Sequence, residues 1–164
     1  MNVRDMLKAA RVIPVMTVTD VGQGVDLARA LVEGGPAEEA GEIDLALARR
    51  SDDPRSWWMK TDPSGDPSLT RWRVLGRDPA GGRTWLALTP VTGRTHQLRV
   101  HCAAMGWPIL GDPIYGSAPR EGGPGLHLHA RAITIPISKN KPPVSVTAPV
   151  DLFITGTVWK NSKS

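Results

Sequence analysis

Near the middle of this 164-residue chain, Arg94, Gln97 and His101 have the types and spacing to do chemistry. The pattern predicts a helix over about Arg94–Met105, which sets them at i, i+3 and i+7 on one polar stripe. A guanidinium grips a carboxylate or phosphate through paired hydrogen bonds, an amide both donates and accepts, and an imidazole changes charge near neutral pH. A helix that presents all three directly after a strand end reads as a site rather than a scaffold. Leu98, Cys102 and Met105 form the adjacent apolar stripe, expected to face a core.

The flanking elements would position that helix. Thr84–Thr89 reads as a strand, broken by Thr92-Gly93, and Gly106 with Pro108 stops the helix. Upstream, Thr70, Trp72 and Val74 alternate with Arg71, Arg73 and Leu75 in a strand that Asp78–Gly82 turns into a hairpin. Trp57–Lys60 is a short strand candidate between loops. Downstream, 117–125 is a loop, 126–135 an alternating strand and 144–147 a short strand, with 151–159 undecided between strand and helix. At the start, Val12–Val18 reads as a strand. Asp20 then caps a helix carried by Val25, Leu27, Ala28, Leu31 and Val32 up to Gly34-Gly35.

Other chemistries fit less well. His96 and His101 are five apart and share no helix face for a metal. No carboxylate has suitable spacing to join them; His127 and His129 share a strand face that could in principle hold a metal, but none is expected. Cys102 lies on the apolar stripe and reads as buried and inert. The glycine pairs at 81–82 and 122–123 open no helix, so there is no phosphate loop. Arg71 and Arg73 occupy one strand face, which is either a solvated face or a phosphate track.

Composition narrows the class. Apolar residues at 40% and charged residues at 22% describe a folded globular domain. No apolar run reaches membrane-spanning length and no secretory leader is evident, so no membrane partner is expected. A single cysteine suits the reducing cytoplasm, which is the expected location. Residues 1–50 hold 6 Lys+Arg against 8 Asp+Glu, and residues 51–164 hold 14 against 8, so the net +4 is concentrated in the second part. That bias suits a polyanion such as RNA. Most of the six Trp are expected in the core or half-buried, and Trp also stacks on unpaired bases.

GRTHQLRVH at 93–101, GWPILGDPIYG at 106–116 and LHLHA at 126–130 resemble, in order, the RluA-like family of RNA pseudouridine synthases. The resemblance covers roughly Gly34–Val158. It implies an α+β fold, a partial pseudouridine synthase domain whose mixed, mainly antiparallel sheet carries a few helices. It implies isomerisation of uridine to pseudouridine in structured RNA, ribosomal or transfer, with no cofactor and no metal. Arg94 matches the arginine paired with the family's nucleophilic aspartate. Thr95, His96, Gln97, Arg99 and His101 fall in the same motif as supporting or RNA-binding residues. Gly111, Asp112 and Tyr115 match the G-D-x-x-Y-G loop, where Asp112 would satisfy turn amides and Tyr115 would pack under the site. His129 matches the L-H-A strand.

Two family features are missing. The aspartate motif R-L-D-x-x-T-S-G does not occur, and the strand with a base-stacking tyrosine, Y-x-A before the V-x-G turn, is expected to be absent. Residues 6–35 instead resemble the start of 2-keto-3-deoxy-6-phosphogluconate aldolase, which implies a β-α lead segment over 1–35 before a synthase portion over 36–164. These departures imply an open sheet edge prone to self-association, and a partly buried Arg94 without its carboxylate. They leave two alternatives: a non-catalytic RNA binder using Arg71, Arg73, Arg94 and Arg99, or an aldolase fragment.

Overall fold

The computed structural model describes residues 24–53, 55–135 and 142–148. In chain order the strands are β1 (Gly24–Glu33), β2 (Ala40–Asp44), β3 (Leu47–Arg49), β4 (Met59–Thr61), β5 (Leu69–Arg77) and β6 (Arg83–Pro90). After them come the helix α1 (Gln97–Ala104), then β7 (Leu128–Ile135) and β8 (Val144–Thr147). Six strands form one sheet in the order β2-β5-β6-β1-β7-β8, and β3-β4 form a separate ribbon. Every pairing among them is antiparallel. Among the described residues no helix is long and apolar enough to cross a membrane.

The β5-β6 hairpin follows the alternation in its residues: Thr70 and Trp72 are buried while Arg71 and Arg73 point outward. On the same inner face, Ala28, Ala30, Val32, Leu86 and Leu88 meet Cys102, Trp107 and Ile109 in the core. Trp72 and Trp107 pack edge to face, with centroids 5.8 Å apart. Gly41 is needed beneath that pair, because a Cβ there would lie 2.7 Å from the Trp72 ring.

Residues 20–33 were expected to be helical, and the structure corrects this: residues 24–33 are β1, paired with β6 on one side and β7 on the other. Ala28, Ala30 and Val32 are buried and alternate with half-buried Arg29, Leu31 and Glu33, a period of two that the helical spacing of Val25, Leu27, Ala28, Leu31 and Val32 concealed. The strand thought absent before the V-x-G turn is therefore present. Ala28-Arg29-Ala30 carries alanine where the Y-x-A pattern has tyrosine, and Val32-Glu33-Gly34 makes the turn. The expected elements over 12–18 and 151–159 lie outside the described residues.

The helix is shorter than expected and begins at Gln97, because His96 adopts a left-handed backbone with φ 55° that ends the preceding turn. Met105 does not join the core and is 44% exposed. It sits past the helix end, where Gly106 at φ 83° reverses the chain and brings Trp107 inward instead. Among the tryptophans, Trp57 breaks the expectation at 69% exposure.

Candidate functional site

The turn between β6 and α1 is tied to the start of β5 by a chain of side-chain hydrogen bonds. The Leu69 amide donates to Thr92 Oγ1 at 2.9 Å, and Thr92 Oγ1 donates to Gln97 Oε1 at 2.8 Å. The Arg94 amide donates to the same Gln97 oxygen at 3.0 Å. Gln97 Nε2 donates to Leu69 O and to Thr70 Oγ1, each at 3.0 Å. The Gln97 side chain is thus fully used in holding the backbone of Arg94, and it is buried.

His101 continues the network. Its Nε2 lies 2.9 Å from Leu45 O and must donate there, which leaves Nδ1 to accept from Thr70 Oγ1 at 2.9 Å. Burial lowers its pKa and outweighs the Leu45 bond and Asp44, which act the other way. Gln97 and His101 therefore share a stripe as the spacing required, but that stripe faces inward and holds α1 to β5. Arg94 is not on it.

Arg94 lies ahead of the helix with 40% of its side chain exposed. Its Nε donates to Pro67 O at 3.4 Å, and its Nη1 is 4.0 Å from Asp66 Oδ2. The expectation of a partly buried arginine without a carboxylate is corrected on both counts: the guanidinium is open to solvent and Asp66 is beside it. Thr95, half-buried, is in the turn that follows.

A second cluster forms where the Gly-Asp-Pro loop meets α1. Arg99 makes a two-point ion pair with Asp112, Nε to Oδ2 at 2.8 Å and Nη2 to Oδ1 at 2.7 Å. Asp112 Oδ1 also accepts from the Ile114 and Tyr115 amides at 2.9 and 3.0 Å. Burial alone would raise the Asp112 carboxyl, but Arg99 and the two amides hold it below the ordinary carboxylate range. Gly111 allows the loop to close, since its φ is 78° and a Cβ would meet Gly125 O at 2.2 Å. The Arg99 guanidinium lies 5.1 Å from the centre of the Tyr115 ring. Tyr115 OH accepts from the Met59 amide at 2.9 Å and lies 2.9 Å from His96 Nδ1. Burial, then the Arg99 charge, lowers the His96 pKa despite Asp112, so neutral Nδ1 is the acceptor for the tyrosine proton. This cluster locks the β3-β4 ribbon onto α1.

The structure thus gathers Arg94, Thr95, His96, Gln97, Arg99, His101, Gly111, Asp112 and Tyr115 around α1. Arg71 and Arg73 lie on the opposite face of the sheet, with Arg71 bonded to Glu42 at 2.7 Å. His129 is on that face too, across from Arg29. Burial pushes the Cys102 thiol well up, which leaves it inert. Among the described residues no group of three or more His, Cys, Asp or Glu could hold a metal. Sequence reasoning missed Asp66, Thr70, Thr92 and the Met59 amide. Of these Thr70 left a signal, because the hairpin alternation turned its hydroxyl inward where a partner was required.

The family described as RNA pseudouridylate synthase matches residues 24–104. A protein of Zymomonas mobilis named as an uncharacterized RNA pseudouridine synthase is 40% identical over 127 residues, covering 77% of this chain and 57% of that protein. The dual-specificity RNA pseudouridine synthase RluA of Pasteurella multocida is 41% identical over 106 residues, covering 64% of this chain and 48% of that protein. Among solved structures, human RNA pseudouridylate synthase domain containing 1 superposes with a TM-score of 0.64 at 38% identity, covering 75% of this chain and 53% of that one. The chain spans about half the length of these relatives.

Proposed function

The chain belongs to the RNA pseudouridylate synthase family, and on that premise we propose that it forms the arginine side of a site isomerising uridine to pseudouridine in structured ribosomal or transfer RNA. The observation that carries this reading is Arg94. Its backbone is fixed by buried Gln97 while its guanidinium stays accessible, held among the described residues by a 3.4 Å bond and a 4.0 Å contact. A guanidinium presented in this way can align a second carboxylate and keep it ionised during attack on a nucleoside, the role the family resemblance gives it. The cytoplasm is the compartment in which we place this activity.

The carboxylate beside Arg94 among the described residues is Asp66, which is 68% exposed. It lies in a loop without the R-L-D-x-x-T-S-G context. We therefore read the 164-residue chain by itself as an RNA binder with little or no turnover. The deciding experiment is pseudouridine formation on bulk ribosomal and transfer RNA by the purified chain, with salt-dependent RNA binding measured alongside. Binding without product supports the reading. Product that persists in Arg94→Ala would overturn the role given to Arg94.

A further inference from the structure

The sheet face turned away from α1 carries cations that the site above does not use. Register aligns Ala40, Arg73, Ala87, Arg29 and His129 side by side across β2, β5, β6, β1 and β7. Adjacent strands are about 4.8 Å apart, so Arg73 and Arg29 rise from backbones roughly 10 Å apart. Only the methyl of Ala87 lies between them, 4% exposed. Arg131, two residues beyond His129 on β7, faces the same way.

Among the described residues no carboxylate pairs with Arg29 or Arg73. Arg29 Nη1 is buried with no acceptor, and Arg29 has no hydrogen-bond or ion-pair partner among the described residues. Burial, then Arg73, then Arg131 push its guanidinium below the ordinary range. Arg73 is exposed and also unpartnered among the described residues. Arg131 donates to the carbonyl of Ala148. Glu42, the carboxylate flanking β5 on this face, is held by Arg71 at 2.7 Å. A desolvated guanidinium stays charged, and without a counter-charge its burial is costly.

We infer that this face binds a phosphate oxyanion, held by Arg29 with Arg73 and Arg131 around it. A tetrahedral oxyanion has acceptor positions for guanidinium groups arriving from several directions at once. The source is either a phosphodiester of bound RNA or free phosphate. The inference goes beyond the isomerisation reading, because the cluster lies on the face opposite α1 and its test requires no turnover.

The test is thermal melting of the 164-residue chain in inorganic phosphate against chloride at matched ionic strength. Phosphate is expected to raise the melting temperature saturably. Arg29→Met should melt about 3 °C higher than the parent in chloride, since it removes an unpaired cation, and should lose the phosphate response. Arg73→Gln, at an exposed position, should fold normally and shift the phosphate midpoint at least about fivefold, that is by roughly 1 kcal/mol or more. A short RNA oligonucleotide competed off by phosphate, and weakened in both variants, assigns the site to the RNA backbone. A response to phosphate alone assigns it to the free ion. A lower melting temperature for Arg29→Met, the sign of an internal carboxylate partner, overturns the inference. So does a phosphate response no larger than that to chloride.

Discussion

Arg99 and Asp112 join α1 to the Gly-Asp-Pro loop through two hydrogen bonds of 2.8 and 2.7 Å, with the Asp112 side chain fully buried and that of Arg99 at 12% exposure. Removing one partner strands the other charge in a desolvated place, which costs about 3–5 kcal/mol. Arg99→Met and Asp112→Ala should each lower stability by that order in denaturant melts. Arg99→Lys should recover only part, because an ammonium cannot make the paired bonds. The Asp112 carboxyl is held below its ordinary value of 3.8 in the fold. Its stabilisation is therefore present above that pH and is lost as the pH falls through and below it. Asp112→Asn should flatten the acid limb of the stability curve.

His101 gives stability a second dependence on pH, in a higher window. Its folded pKa lies below the ordinary 6.5, so below pH 6.5 the unfolded chain takes up a proton that the folded chain refuses. Stability should fall as pH drops from about 7 toward 5. His96, lowered for the same first cause, adds to this slope. In His101→Gln the slope should shrink without vanishing, while the bond to Thr70 is lost at about 1–2 kcal/mol. Stability measured at pH 5 and pH 7 for the parent and this variant checks both.

The Tyr115 hydroxyl is the contact that pins β4, through the Met59 amide. Tyr115→Phe keeps the ring under Arg99 and deletes that acceptor, at an expected cost of about 1–3 kcal/mol. Hydrogen exchange at Met59 should speed up more than at Leu86 or Leu88, whose strand lies at the heart of the sheet. Equal acceleration at all three would mean that the ribbon is not a separable unit.

At the β8 edge, Val144 and Val146 are 48% and 50% exposed, on a strand paired only with β7 among the described residues. Such an edge invites pairing with a second chain. Sedimentation should show concentration-dependent association of the parent. Val144→Lys with Val146→Lys should shift it toward monomer without lowering the melting temperature by more than a few degrees.

What could be read from the residues was local. The hairpin from Leu69 to Pro90 announced itself because a period of two, a turn and a reversal all lie within 22 residues. The α1 register was legible as well, since Gln97 and His101 do share a face. Their polarity reads as a site, whereas a buried Thr70 hydroxyl and two backbone carbonyls take up both side chains. β1 was misread because Val25, Leu27, Ala28, Leu31 and Val32 keep helical spacing although they fall on both faces of a strand, and the choice was made by Leu86 and Leu128 far along the chain. Asp66 and the Met59–Tyr115 bond could not be seen for the same reason: tertiary pairing creates them and no spacing records it.

That placement of β1 also sets a timetable. Ala30 pairs with Leu86 and with Leu128, 56 and 98 residues further on. During synthesis at about 5–20 residues per second, its second partner leaves the ribosome roughly 5–20 s after it does. Until Leu86 emerges β1 has neither neighbour, and from then until Leu128 emerges, roughly 2–8 s, the future middle of the sheet is an apolar seam held by β6 alone. The cell must keep it from finding another chain before its own β7 arrives.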